Sequence, residues 1–421
     1  MASPPPRATF PPRRPATPRR PRRLYAFGAG RSLGRTQLRY RPWSVPWIGV
    51  SSEAASNRGR RHVPRDANAV DFWRGFALIE IFVNHVPGNF YEQFTHKALS
   101  LSDSAELFVF LAGWSLKFVV GPPDAPAPAV RLVGRLVLRA YQLFSAHVVI
   151  VMLAVAMLAA AARLLDNPLI LEWFNAAAVF YEPVETHIGL VLLTHQLGYF
   201  DILPLYVVLL LLSPLIALLD RFNQTVLLTV SFLIYIVSLI TEATFTTWPT
   251  QGEWFFNPMC WQFDFVLGFL FARPTGAGGW ARRNLGWVRI VAIPILAAAA
   301  WARWYGFELD PTLAPEPHLL FVDAKSFLSP IRVMQFLLLV AAFSAVYPTI
   351  ARFVPPLVSV LSLLGRNSLL VFCLGSLLSL ALQIGRFAVR GGIAFDTAAV
   401  AGGLLLLYAV AAGHEWLETS R

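Results

Sequence analysis

The stretch Asp71-Phe-Trp-Arg-Gly-Phe-Ala-Leu-Ile-Glu-Ile-Phe-Val-Asn-His85 decides the fold class, because Asp71, Arg74, Glu80 and His85 are set into an otherwise apolar run. Inside a membrane-length segment such groups are costly, and they mark a pathway or a reaction site. Read as a helix, eleven steps of 100° bring His85 to within about 20° of the Arg74 face, and the rise separates the two by roughly 16 Å. Asp71 lies near the same stripe, while Glu80 and Asn84 form a second polar pair at i,i+4 spacing. One face therefore presents a fixed cation toward one membrane surface and an imidazole toward the other. That arrangement suits chemistry across a bilayer better than simple anchoring.

Composition agrees. The 421 residues are 56% hydrophobic and 14% charged, with a mean hydropathy of +0.56, which is the profile of a polytopic membrane protein. Of the net charge of +11, residues 1–65 contribute a local +14 from fifteen Arg against one Glu, so the rest of the chain is slightly acidic. The Pro- and Arg-rich composition of 1–65 predicts a disordered cytoplasmic tail, not a nucleic-acid module, and it lacks the apolar core of a signal peptide. Residues 66–421 form the membrane domain. Cys260 and Cys373 fall in apolar segments, so no disulfide framework is expected.

The fold expected is all-α, with about ten transmembrane helices near 69–88, 104–121, 140–163, 202–219, 226–242, 257–272, 288–305, 331–347, 368–388 and 396–413. The fourth could begin earlier, near His187. Basic residues recur on alternate loops, which makes those loops cytoplasmic and puts His85 toward the outer face. Arg386 and Arg390 depart from that rule.

His85, with an ordinary pKa near 6.5, can act as a general base at about neutral pH; Glu80, Asp103 and Glu106 are candidates to orient it. Asp103, Ser104 and Glu106 also suit a helix N-terminus, and Gly113 suits close helix approach. Arg131, Arg135 and Arg139 recur every fourth residue as a cytoplasmic ridge, either a positive-inside anchor or a cradle for the phosphates of an acyl-CoA donor. His195, Asp201, Gln262 and Asp264 are the candidate substrate-binding residues, set among aromatics that carbohydrate surfaces and interfacial belts share. No metal-ligand spacing, Walker loop or nucleophile elbow stands out.

Taken together these residues resemble the OpgC family, a branch of the acyltransferase-3-like membrane proteins. Arg74-x10-His85 looks like the first-helix signature of that superfamily. The Arg135 and Arg139 pair looks like its third-helix arginine motif, with three intervening residues here in place of two. The segments Asp103–Gly113, His195–Tyr206 and Asn257–Gly268 are similar to OpgC itself, and the likeness covers roughly residues 67–413. The resemblance implies a bacterial inner-membrane enzyme that succinylates osmoregulated periplasmic glucans. His85, Arg74, Asp71 and Glu106 would then be catalytic. Succinyl-CoA would be the donor substrate, with no tightly bound cofactor and no metal. The partners would be the lipid bilayer, the glucan acceptor and the acyl-CoA, with no nucleic acid. The residues alone also leave open a sugar or lipid-precursor transporter using the same buried charges, and a noncatalytic scaffold in which His85 is structural.

Overall fold

The computed structural model describes residues 67–122, 126–306 and 313–420. The basic arm over 1–65 lies outside the described residues. In chain order the α-helices are α1 (Ala69–Asn84), α2 (Ser104–Val120), α3 (Ala129–Leu164), α4 (Ala177–Tyr181), α5 (Pro183–Val191), α6 (Ile202–Phe222) and α7 (Gln224–Thr241). They continue with α8 (Pro258–Phe271), α9 (Gly276–Trp304), α10 (Pro330–Phe343), α11 (Val346–Phe353), α12 (Pro355–Arg366), α13 (Ser368–Val389) and α14 (Ile393–Ser420). Among the described residues β-structure is limited to one isolated bridge, Thr246 with Glu253. The described residues are all-helical, and their long apolar helices make this a multi-pass membrane protein.

A helix occupies each of the ten expected segments, but length and apolar content support six spans, or seven if α10 and α11, bent by 43°, count as one. Helices α1, α2 and α8 have 16, 17 and 14 residues, short of the roughly 20 that a 30 Å hydrocarbon core demands. The apolar signal of the sequence ran on into turns such as His85–Gly88, where the helix has already stopped. In the other direction α3 reaches 36 residues, about 54 Å of helix. It begins eleven residues before the expected span. The fourth span starts at Ile202, not near His187; residues 168–200 form short helical turns instead.

Local chemistry sets several starts. Asn68 caps α1 by accepting the Asp71 N–H at 3.0 Å, and Asp71 adds a carboxylate where the helix dipole is positive. At α2 the expected cap is a full capping box: Asp103 accepts the Ala105 N–H at 2.8 Å, and Glu106 accepts the Asp103 N–H at 2.9 Å. Helix α12 is absent from the sequence expectations. Its 12 residues form a short amphipathic helix behind Pro355 and Pro356, which reads as a loop when only spans are sought. Asn367 precedes α13 but makes no side-chain cap; its amide donates to Leu363 O and Glu415 instead.

Two glycine crossings hold the centre. A Cβ on Gly113 would strike the Phe265 carbonyl, and one on Gly268 would strike that of Phe110, so α2 and α8 touch backbone to backbone. Gly75 and Gly365 do the same for α1 and α12, against Leu361 and Asp71. In lipid, where apolar faces gain little by leaving one another's solvent, such close approach drives helix association. Helix α8 is buried nearly all round, and α1, α2, α6, α12 and α13 surround this centre.

Candidate active site

The polar residues of the bundle collect where α1 ends and α2, α6 and α8 begin. His85 is the first residue past α1. Its ring lies 4.6 Å from that of Tyr199, tilted by 46°. Gln383 on α13 donates to its carbonyl oxygen, which fixes the turn. The residue is partly exposed, while Nδ1 is buried without a hydrogen-bond partner.

None of the three candidate carboxylates touches His85. Glu80 instead accepts from the His96 backbone N–H at 2.9 Å and from Ser104 Oγ at 3.0 Å, and it pairs with His96 Nδ1. Its i,i+4 partner Asn84 accepts from Thr95 Oγ1 at 2.9 Å. The second polar pair of α1 thus latches the turn that joins it to α2. Burial opposes a charge on His96, but the bond to Glu80 and its negative charge outweigh that and raise the imidazole pKa above its ordinary value.

Asp103 and Glu106 belong to a buried charge group that the sequence did not expose. Arg332, at the start of α10, reaches Glu106 at 2.7 Å and Asp323 at 3.0 Å, and Lys325 pairs with Asp103. The Lys325 ammonium also faces the rings of Phe255 and Phe256 at 5.5 and 5.7 Å. Its side chain is 31% exposed, and its charge bears on His85, Tyr199 and Asp201. Lys325 and Arg332 join residues more than 200 positions away. The available signal was the cost of an arginine at a span's edge, which demands carboxylate partners.

Asp201 stands at the start of α6 beside this group, and burial pushes its carboxyl up to about 7. Of the other expected substrate residues, His195 and Gln262 make hydrogen bonds within the fold. His195 donates from Nε2 to Asn175 O at 3.1 Å and accepts at Nδ1 from Thr250 Oγ1 at 3.4 Å, and burial lowers its pKa. Gln262 bridges α7 and α8 through Ser231 Oγ at 2.7 Å and Ser231 O at 2.8 Å. Asp264 is buried on α8 with Oδ2 unpartnered.

The family profile described as OpgC protein matches residues 65–419. The chain belongs to the OpgC family. Searches of curated proteins and of solved structures returned no match. In this OpgC-family protein Arg74 ties α1 to α2: it donates to Ser115 Oγ at 2.6 Å and Leu111 O at 3.3 Å, and lies 3.7 Å from Asp71. Asp71 in turn accepts from the Asn68 amide at 2.5 Å. Arg74 and His85 therefore sit at opposite ends of α1, as expected, but each has its own surroundings. Arg131, Arg135 and Arg139 all lie on the exposed face of α3, where Arg139 reaches Gln142 at 3.1 Å. These motif residues thus split between the two ends of α1 and an exposed ridge on α3.

Proposed function

We propose that the protein is an inner-membrane O-acyltransferase that moves a succinyl group from succinyl-CoA to hydroxyls of osmoregulated periplasmic glucans, through ten spans with His85 at the periplasmic face. The observation that carries this reading is His85, a partly exposed residue whose ring nitrogens make no hydrogen bond among the described residues. His195, by contrast, has both nitrogens bonded. A base must keep a lone pair for the acceptor hydroxyl. The acceptor oxygen attacks the thioester carbonyl carbon as His85 takes its proton. The C–S bond then breaks, and the imidazolium returns the proton to the departing sulfur. Arg131, Arg135 and Arg139 hold the donor phosphates at the cytoplasmic side, where guanidinium groups pair with them in bidentate fashion.

The test compares periplasmic glucan from a deletion strain and its parent by mass spectrometry and charge. Glucan that is exported but lacks acyl groups supports the proposal. Glucan retained in the cytoplasm would make the protein a transporter and overturn it.

A further inference from the structure

An open groove of about 660 Å³ lies at the His85 end, between the C-terminal ends of α3 and α13, walled by Leu165, Asp166, Asn167, Arg386, Phe387 and Arg390. Its volume falls within the roughly 300–1,000 Å³ of small-molecule sites. Its wall and the His85 turn form one hydrogen-bonded unit. Gln383, four residues before Phe387, donates to His85 O, and Arg386 donates to Gly88 O at 2.6 Å.

The lining has a specific chemistry. Phe387 is 48% exposed, and Trp173 backs it edge-on at 5.5 Å, which makes a fixed aromatic surface. Asn167 spends its carbonyl oxygen on the Leu169 N–H at 3.1 Å, leaving its amide to donate. Arg386 is neutralised by Asp396 at 2.9 Å. Among the described residues the Arg390 guanidinium makes no hydrogen bond or ion pair, and Asp166 shares its groove. Both hold left-handed backbone, φ 50° and 48°, a strain that concentrates at functional positions.

The lining charge is therefore nearly balanced, with planar polar groups set around an aromatic face. A phosphate would meet the Asp166 carboxylate, whereas vicinal hydroxyls can bond guanidinium, amide and carboxylate in pairs. A sugar ring also lays its C–H face on an aromatic ring. We infer that this groove is a carbohydrate subsite that seats a stretch of the neutral acceptor glucan beside His85, an assignment that rests on the acyltransferase reading above.

The experiment titrates the full-length protein in nanodiscs with unacylated periplasmic glucan by calorimetry, and separately with coenzyme A. Phe387→Ala and Arg390→Gly should each weaken glucan binding by about tenfold and leave coenzyme A binding within twofold. Arg390→Gly removes the guanidinium while suiting the left-handed backbone, so a loss there is not unfolding. Unchanged glucan affinity in both variants overturns the subsite. Loss of affinity for nanodisc phosphatidylglycerol with glucan binding intact also overturns it, in favour of a lipid-headgroup site. Glucan binding that is weakened in the variants, in a wild-type protein that transfers no acyl group, keeps the carbohydrate site and rejects the acyltransferase reading.

Discussion

The two ends of the bundle use the same residue types for opposite purposes. At the Arg74 end the cations are committed to neighbouring helices. Arg74 binds the backbone and hydroxyl of α2, Arg366 grips Glu415 at 2.8 Å, and Arg273 pairs with Asp220. At the His85 end two groups are left without a hydrogen-bond or ionic partner in the described residues, the His85 ring and the Arg390 guanidinium. A charge near a membrane must be satisfied somewhere. Where the protein satisfies it internally it gains architecture; where it does not, a substrate can.

The strongest way to break this contrast is His85→Ala. It should lower acyl transfer by about 10²–10⁴-fold, the span of general-base catalysis, with membrane expression near normal. Full acylation by the purified variant would remove His85 from the chemistry and leave the end merely polar. Arg332→Met tests the part of the His85 end that is closed. It strands Glu106 and Asp323 and should cost about 3–5 kcal/mol, the usual penalty of breaking a buried pair. A thermal midpoint equal to wild type would show that these carboxylates are neutral without it.

Smaller effects sharpen the contrast from outside the core. Arg135→Ala with Arg139→Ala should leave stability unchanged, since both are exposed, and should weaken coenzyme A binding about tenfold, more at low salt than at high. Equal affinity at both salt concentrations makes the ridge a topological anchor. A pH-dependent effect is expected in Asp201→Asn. The raised folded pKa of about 7 means the folded state keeps a proton that the unfolded chain has already released above about pH 4. Wild-type stability should therefore fall as pH rises from about 4 to 7 and then level off, and the variant should lack this fall. Parallel melting curves over that window would count against a buried, protonated Asp201.

What the sequence made legible was local. The Asp103–Glu106 box, the close approach at Gly113 and the helical run of Asp71–His85 each follow from residues within a few positions of one another. Glu80 and Asn84 were visible as a pair, but their target, the Thr95–His96 turn, was not, because periodicity says which face a residue occupies and not what meets it. The Arg332 and Lys325 partnerships close over more than 200 residues, and no spacing rule reaches that far. Helix α12 lies outside the expectations because membrane-length apolarity passes over short amphipathic helices, although its Val358, Leu361 and Gly365 pack against α1.

Helix α9 carries a consequence for handling the protein. Its apolar window is 6% buried, and Arg289 ties it to α10 through Ala341 O at 2.9 Å and Ser344 Oγ at 3.0 Å. Acyl chains, not other helices, are what most of its surface touches in a bilayer. Stripping annular lipid with a harsh detergent therefore exchanges the surroundings of this one helix while the glycine-locked centre is shielded. Purification losses should begin at α9, long before the His85 end is disturbed, and retained lipid is the reagent that prevents them.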